Sequence, residues 1–105
     1  MSVYSDIINA THDYEAISGA GAVSVSTAVT FVTTTAADAL TLANGEIGQL
    51  KYITMAVDGG DGTLTPASPS GFATIVFDAV GDWVILEWNG RAWVVRASYG
   101  VTVSS

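Results

Sequence analysis

The chain has 105 residues, half of them apolar, and its ten acidic residues outnumber three basic residues to give a net charge of −7. This length fits one compact domain, and because negative charge repels phosphates we expect no nucleic-acid partner. The absence of cysteine excludes disulfides and thiolate metal sites, and no apolar run approaches the ~20 residues that span a bilayer, so we expect no membrane partner.

Residues 1–21 are more polar and acidic than the rest, and their apolar residues show only a weak period. We interpret this segment as an extended N-terminal arm and residues 22–105 as a β domain. The arm lacks a basic stretch followed by a hydrophobic one, so no secretory signal is predicted and we expect synthesis in the cytoplasm. His12, the only histidine, has no cysteine or recognisable serine nucleophile to work with, so we interpret it as a solvated arm residue.

Strand periodicity dominates the remainder of the chain. Apolar side chains at alternate positions predict a strand over residues 23–31. The pattern contains no convincing helix and no repeat of fixed period, and seven or eight short strands separated by turn residues suit a small antiparallel β-sandwich or barrel. Further short strands are predicted at residues 39–42, 51–57, 63–65, 72–77 and 99–103.

The clearest local signal is a hairpin between Trp83 and Arg96, in which Asn89-Gly90 separates two apolar runs. Asn-Gly is typical of a two-residue type I′ turn, which would place Leu86 opposite Trp93. Both faces of this hairpin are largely apolar, so both need cover, and this favours an assembling protein. We predict that one face forms either the core or a trimer interface, through Val84, Leu86, Trp88, Trp93 and Val95.

Two acidic patterns suggest chemistry but have simpler explanations. The loop at residues 58–62 (DGGDG) offers oxygen ligands for calcium but lacks the glutamate that an EF-hand requires at its twelfth position. Whether it binds calcium stays open, although glycines in a tight turn explain the motif better. Asp78 and Asp82 have the residue types of a glycosidase dyad, but their place beside Gly81 favours a turn role. We therefore predict a protein that is not an enzyme, with no catalytic residue, no metal site and no cofactor.

The motifs also carry a family resemblance. The segments TTAADALTL (residues 34–42) and DGGDGTLTP (residues 58–66) are followed by a FDAVGD turn and a tryptophan-bearing hairpin. Over residues 22–97 this arrangement resembles a module found in virion structural proteins of tailed bacteriophages. The resemblance implies a β-rich homotrimeric module on capsid surfaces or on fibres, and it carries over no catalytic residues.

From the residues and the resemblance together we predict a capsid decoration (cement) protein of the virion. It would bind the major capsid protein at the head surface as a homo-oligomer, a trimer by resemblance, and stabilise the shell. The alternative is a tail-fibre, head-fibre or receptor-binding module with a tryptophan-lined glycan-binding face. In the decoration protein, the arm would add a strand to the capsid protein through Tyr4, Ile7, Ile8, Tyr14 and Ile17.

Overall fold

The computed structural model describes residues 13–105, and in this range the chain forms ten strands and no helix. The prediction of an all-β protein is confirmed. Within the described range there is accordingly no helix long and apolar enough to cross a bilayer. The strands are β1 (Tyr14–Ser18), β2 (Gly21–Val23), β3 (Val29–Thr33), β4 (Asp38–Leu42), β5 (Leu50–Val57), β6 (Gly62–Pro66), β7 (Thr74–Phe77), β8 (Trp83–Trp88), β9 (Trp93–Tyr99) and β10 (Thr102–Ser104).

The strands form two five-stranded mixed sheets that pack as a sandwich. Sheet A has the order β1-β3-β5-β8-β9, and sheet B has the order β10-β7-β6-β4-β2. Strands expose alternate side chains on opposite faces, so each sheet turns one apolar row inward. The core between the sheets is drawn from both, as the alternating burial along β4, β8 and the first six residues of β5 shows.

In residues 14–66, which we call the coil half, the chain crosses from sheet A to sheet B after every odd-numbered strand and returns after β2 and β4. β1, β3 and β5 are consequently parallel neighbours, as are β2, β4 and β6. The chain thus winds three stacked turns of a flattened coil. The prediction of an antiparallel sandwich is wrong for this half, because the strands β1 to β5 each end in an arch to the opposite sheet rather than in a hairpin.

Residues 74–104, which we call the closing half, add antiparallel pairs to both sheets. β7 pairs with β6 and β10, while β8 pairs with β5 and β9. The β8–β9 hairpin has a four-residue loop, in which the side-chain oxygen of Asn89 accepts the N–H groups of Arg91 and Ala92, both at 2.9 Å. Only Gly90 in this loop has a positive φ, +96°. The type I′ prediction is therefore wrong, and Trp88 rather than Leu86 lies opposite Trp93.

The first two strands lie at the edges of the sandwich. β1 falls within the segment interpreted as an arm, and β2 begins at the last residue of that segment, Gly21. These two strands are edge strands of the two sheets. The single strand predicted over residues 23–31 is wrong, since residues 24–28 form the connection between β2 and β3. Tyr4, Ile7, Ile8 and His12 lie outside the described residues.

One charged side chain enters the interior of the coil half. Lys51 on β5 is fully buried, and its ammonium group donates to the backbone oxygen of Thr27 at 2.8 Å and to its hydroxyl at 2.9 Å. Burial lowers the pKa of Lys51 to about 8, against the opposing effect of the nearby carboxylates of Glu15 and Asp13. The interior of this half is therefore partly polar, with its polar groups hydrogen-bonded.

Candidate functional site

The outer face of sheet A is the most distinctive surface of the described structure. The strand registers align its outward-pointing side chains in three rows, two of which cross all five strands and one of which crosses β5, β8 and β9. Because outward positions of a sheet normally carry polar residues in a monomer, an apolar set here is informative. We call this surface the aromatic face, and its rows are Tyr14–Val29–Tyr52–Ile85–Ala97, Ala16–Phe31–Thr54–Trp83–Tyr99 and Leu50–Glu87–Val94.

Aromatic rings on this face pack against one another but stay open to solvent. Tyr14 meets Phe31 edge to face at a ring separation of 5.8 Å, and Tyr52 stacks on Trp83 at 6.0 Å. Tyr14, Phe31 and Tyr99 are 57%, 39% and 66% exposed, and they are the exposed aromatic residues of the whole described range. The fold thus collects its exposed rings on one surface.

The aromatic face is electrically neutral in a strongly acidic chain. Its rows contain one charged residue, Glu87, which pairs at 2.6 Å with Arg96 on the neighbouring strand β9. Arg96 lies where the register of β8 and β9 shifts, which lets its side chain reach Glu87 on the outer side. The face therefore carries no net charge, although the chain carries −7.

The outer face of sheet B has a different composition. Its outward positions are occupied mostly by alanine and threonine, and within residues 13–105 none of these outward positions on the strands carries an aromatic side chain. Such a surface hydrogen-bonds to water readily and needs no cover. We call it the threonine face, and it includes Ala22, Ala39, Thr41, Thr63, Thr65, Thr74, Val76 and Thr102.

The hairpin residues predicted as a core or trimer interface lie in the core of a single chain. Val84, Leu86 and Trp93 are fully buried, Trp88 is 6% exposed, and Val95 packs against this cluster. The two indoles meet edge to face at 5.4 Å, and the indole N–H of Trp93 donates to a backbone oxygen in the β4–β5 connection at 2.9 Å. The opposite face of the hairpin, not this one, contributes to the aromatic face.

Of the five arm residues predicted to bind the capsid protein, the structure describes two, and their side chains point in opposite directions. Tyr14 lies on the aromatic face against Phe31, whereas Ile17 points inward and packs on the core. Between them Glu15 also points inward, accepting a hydrogen bond from the Ser24 N–H at 2.6 Å and from the Thr30 hydroxyl at 2.7 Å. An inward carboxylate on an edge strand discourages the pairing of a further strand there.

The DGGDG loop is explained by close stacking of two arches of the coil. Side chains at Gly59 and Gly60 would collide with the backbone of residues 34–37, the arch of the preceding turn. The Thr34 hydroxyl accepts the N–H of Gly59 at 2.9 Å and donates to the oxygen of Gly60 at 2.6 Å. Within residues 13–105 no cluster of three or more potential metal ligands is found. The close approach of the two arches explains why residues 59 and 60 are glycines.

Asp82 closes the β7–β8 turn. It is 4% exposed, and one carboxylate oxygen accepts the N–H groups of Asp78 at 3.0 Å and of Ala79 at 3.1 Å. A hydrogen bond with the Asp82 side chain, together with partial desolvation and the charge of Asp82, raises the pKa of Asp78. Asp78 and Asp82 are thus hydrogen-bonded as residues of a turn, which is the role that their place beside Gly81 favoured.

A shallow cleft of about 460 Å³ lies between the β2–β3 and β4–β5 connections. Its one titratable lining residue is Glu46, and Gln49 is already engaged through both ends of its amide, with the Val25 oxygen and the Glu46 N–H. This arrangement holds a loop in place and brings no pair of acid, base or nucleophile together.

Comparisons with known protein families and with curated proteins find no match for this sequence. The resemblance to phage virion modules stays a prediction that rests on the quoted motifs.

Proposed function

We propose that this protein is a capsid decoration protein, which binds the head of a tailed bacteriophage as a homotrimer and stabilises the shell. The observation that carries the proposal is the aromatic face: an apolar, neutral surface five strands wide on a domain whose core is already complete. Exposed apolar surfaces of this kind mark contacts with other macromolecules.

The proposed activity needs binding and no chemistry. A protein that binds the assembled shell and not its dispersed subunits stabilises the shell by mass action. The remaining surface suits display on a particle, because unpaired acids and the threonine face stay hydrated and keep a dense coat from sticking to other surfaces.

The N-terminal segment is the proposed contact with the major capsid protein. It enters the domain at Tyr14, at the edge of sheet A and beside the aromatic face. A segment that leaves at this position can reach a neighbouring subunit of the shell without disturbing the core. Tyr4, Ile7 and Ile8 are the apolar side chains with which it would add a strand to the capsid protein.

Cosedimentation with empty heads tests the proposal. The full-length chain is mixed with heads assembled from the major capsid protein of the same genome, and bound protein and the disassembly temperature of the heads are measured. We expect saturable binding and a raised disassembly temperature, and we expect a variant without residues 2–12 to keep its fold but lose binding. Absence of binding by the full-length chain would contradict the proposal.

A glycan-binding fibre module is the second candidate, and the stacked pair of Tyr52 and Trp83 favours it. Aromatic rings on an open sheet face can stack on sugar rings. The platform would be this pair and not Trp93, which is buried. Binding on a glycan array that is lost in Trp83→Ala, with the oligomer mass unchanged and no binding to heads, would establish this function instead.

A further inference from the structure

We propose that the aromatic face is covered by the same face of another copy of this chain, and not by the capsid protein. The inference rests on the proposed function only in treating this face as an assembly surface. It adds the identity of the partner and assigns a separate contact to each part of the chain. Sheet A joins copies of the chain, and the N-terminal segment contacts the shell.

Charge is the first reason for a second copy. Two chains of net charge −7 repel each other, so a self-contact must avoid the acids. Asp58, Asp61 and Asp78 lie in the connections between β5 and β6 and between β7 and β8, outside the rows of the aromatic face. Asp82 directly precedes Trp83, but it is buried, and its carboxylate accepts two backbone N–H groups of the β7–β8 turn. Among the residues of the rows, packing these faces together therefore brings only the carboxylate of Glu87 into the contact, and this carboxylate is paired with Arg96.

The single ion pair on the face makes it self-complementary. Glu87 and Arg96 are neighbours at one margin, and their side chains are 29% and 54% exposed. Around a threefold axis the Arg96 of each copy can approach the Glu87 of the next copy, and across a twofold axis two copies make this contact reciprocally. A surface that offers both signs side by side suits an identical partner.

The exposed apolar area is large enough to need cover. At about 150–250 Å² for each aromatic side chain, the open fractions of Tyr14, Phe31 and Tyr99 leave roughly 300 Å² of ring surface in water. Half-buried Tyr52 and Trp83 lie between these rings and extend the same patch. Ring surface alone thus reaches the size of the largest apolar patches on ordinary monomers.

The composition of the face favours a protein partner over a sugar. Aliphatic side chains at Val29, Ile85 and Val94 fill positions between the rings. These side chains gain from contact with another apolar surface and offer nothing to sugar hydroxyls. The hydroxyl of Thr54, in the middle of the face, already donates to the Asp82 backbone oxygen at 3.0 Å. Tyrosine, tryptophan, phenylalanine and arginine are the residues enriched at protein interfaces.

Light-scattering mass of the purified full-length chain tests the inference, with Phe31→Lys and Tyr99→Lys as interface variants. Two matched controls place the same charge elsewhere: Thr65→Lys on the threonine face and Ile47→Lys on a loop residue that is 80% exposed. Circular dichroism and thermal unfolding verify that each variant is folded.

We expect the wild type and both controls to have a multiple of the 10.8 kDa chain mass at micromolar concentration. Each interface variant is expected to weaken association at least about 30-fold. Emission of Trp83, isolated by comparison with Trp83→Phe, should shift to shorter wavelength as the wild type associates.

A monomeric wild type, or an oligomer that both interface variants leave intact, would overturn the inference. If the wild type is monomeric in solution and Phe31→Lys also abolishes its binding to heads, the aromatic face contacts the capsid protein instead of another copy. An oligomer that the interface variants disrupt, but that does not bind heads, supports the inference and overturns the decoration function. A face-dependent dimer supports it as well and corrects the trimer of the proposed function.

Discussion

In the coil half, each of the strands β1 to β5 is followed in the chain by a strand of the opposite sheet, whereas in the closing half β8 and β9 are consecutive neighbours in sheet A. The interiors of the two halves differ accordingly. The coil half buries Thr30, Thr34, Asp38 and Lys51, while the closing half buries one polar residue, Asp82, in a turn. Arches stacked on arches place polar backbone and side-chain groups inside the sandwich, where each needs a partner.

The comparison teaches that the two halves are held together by different interactions. The closing half depends on large apolar side chains, among them Phe77, Trp88 and Trp93. The coil half adds hydrogen bonds that join successive turns, such as those of the Thr34 hydroxyl. Substitutions that remove volume should therefore be most damaging in the closing half, and those that remove a buried hydrogen bond should be most damaging in the coil half.

The largest effect is expected from Trp93→Ala in the closing half. This change removes a fully buried indole and leaves a backbone oxygen in the β4–β5 connection without its donor, so we expect a loss of about 3–5 kcal/mol in the free energy of unfolding. Urea unfolding followed by circular dichroism measures it. The half-buried Trp83→Ala is the control and should cost clearly less, and equal losses would contradict the assignment of inner and outer faces.

Lys51 should make the stability of the coil half depend on alkaline pH. Its pKa is lowered from 10.5 to about 8 in the folded state, so between these values the unfolded chain binds more protons and stability rises with pH. The full shift corresponds to a gain of up to about 3 kcal/mol, complete only above pH 10.5.

Comparison with Lys51→Met isolates this gain, because other groups titrate alike in both proteins. Urea unfolding at pH 7 and at pH 10 should show the wild type gaining stability relative to the variant. A constant difference between the two proteins across this range would show that Lys51 is not desolvated.

Thr34→Val tests the hydrogen bonds between arches. Valine keeps the shape of threonine but leaves the Gly59 N–H and the Gly60 oxygen without their hydroxyl partner, so we expect a loss of about 2 kcal/mol. The neighbouring Thr35 is exposed, and Thr35→Val should change stability by less than about 0.5 kcal/mol. Similar effects of the two variants would mean that the arches do not depend on this contact.

The smallest effect is expected from Asp78→Asn. The raised pKa of Asp78 means that the folded state holds its proton more tightly than the unfolded chain, so ionisation as the pH rises destabilises the fold. Asparagine stays neutral, and we expect a slightly higher urea midpoint than the wild type at pH 7. The difference should vanish at pH 3, where both side chains are neutral, and Asp58→Asn controls for the change in net charge.

The candidate site was partly foreseeable from the sequence. The outward side chains of the hairpin were visible as a second apolar face, and this explains why an assembling protein was expected. Phe31 and Tyr99 were not predicted as site residues, because their strands join sheet A through contacts distant in the chain. The alternation of side chains at 29–31, with Val29 and Phe31 on one face, was the available signal, but alternation does not say which face is inward.

The sequence by itself determined that the chain is all β and where most strands lie, since side chains alternate with period two along a strand and glycine, asparagine and aspartate interrupt it. Only the tertiary structure decided that the first six strands run parallel within their sheets, because an arch to the opposite sheet and a hairpin within one sheet use the same turn residues. It also decided which hairpin face became the core. Both faces were apolar, and the choice depended on the strands of sheet B that pack across from Leu86 and Trp93.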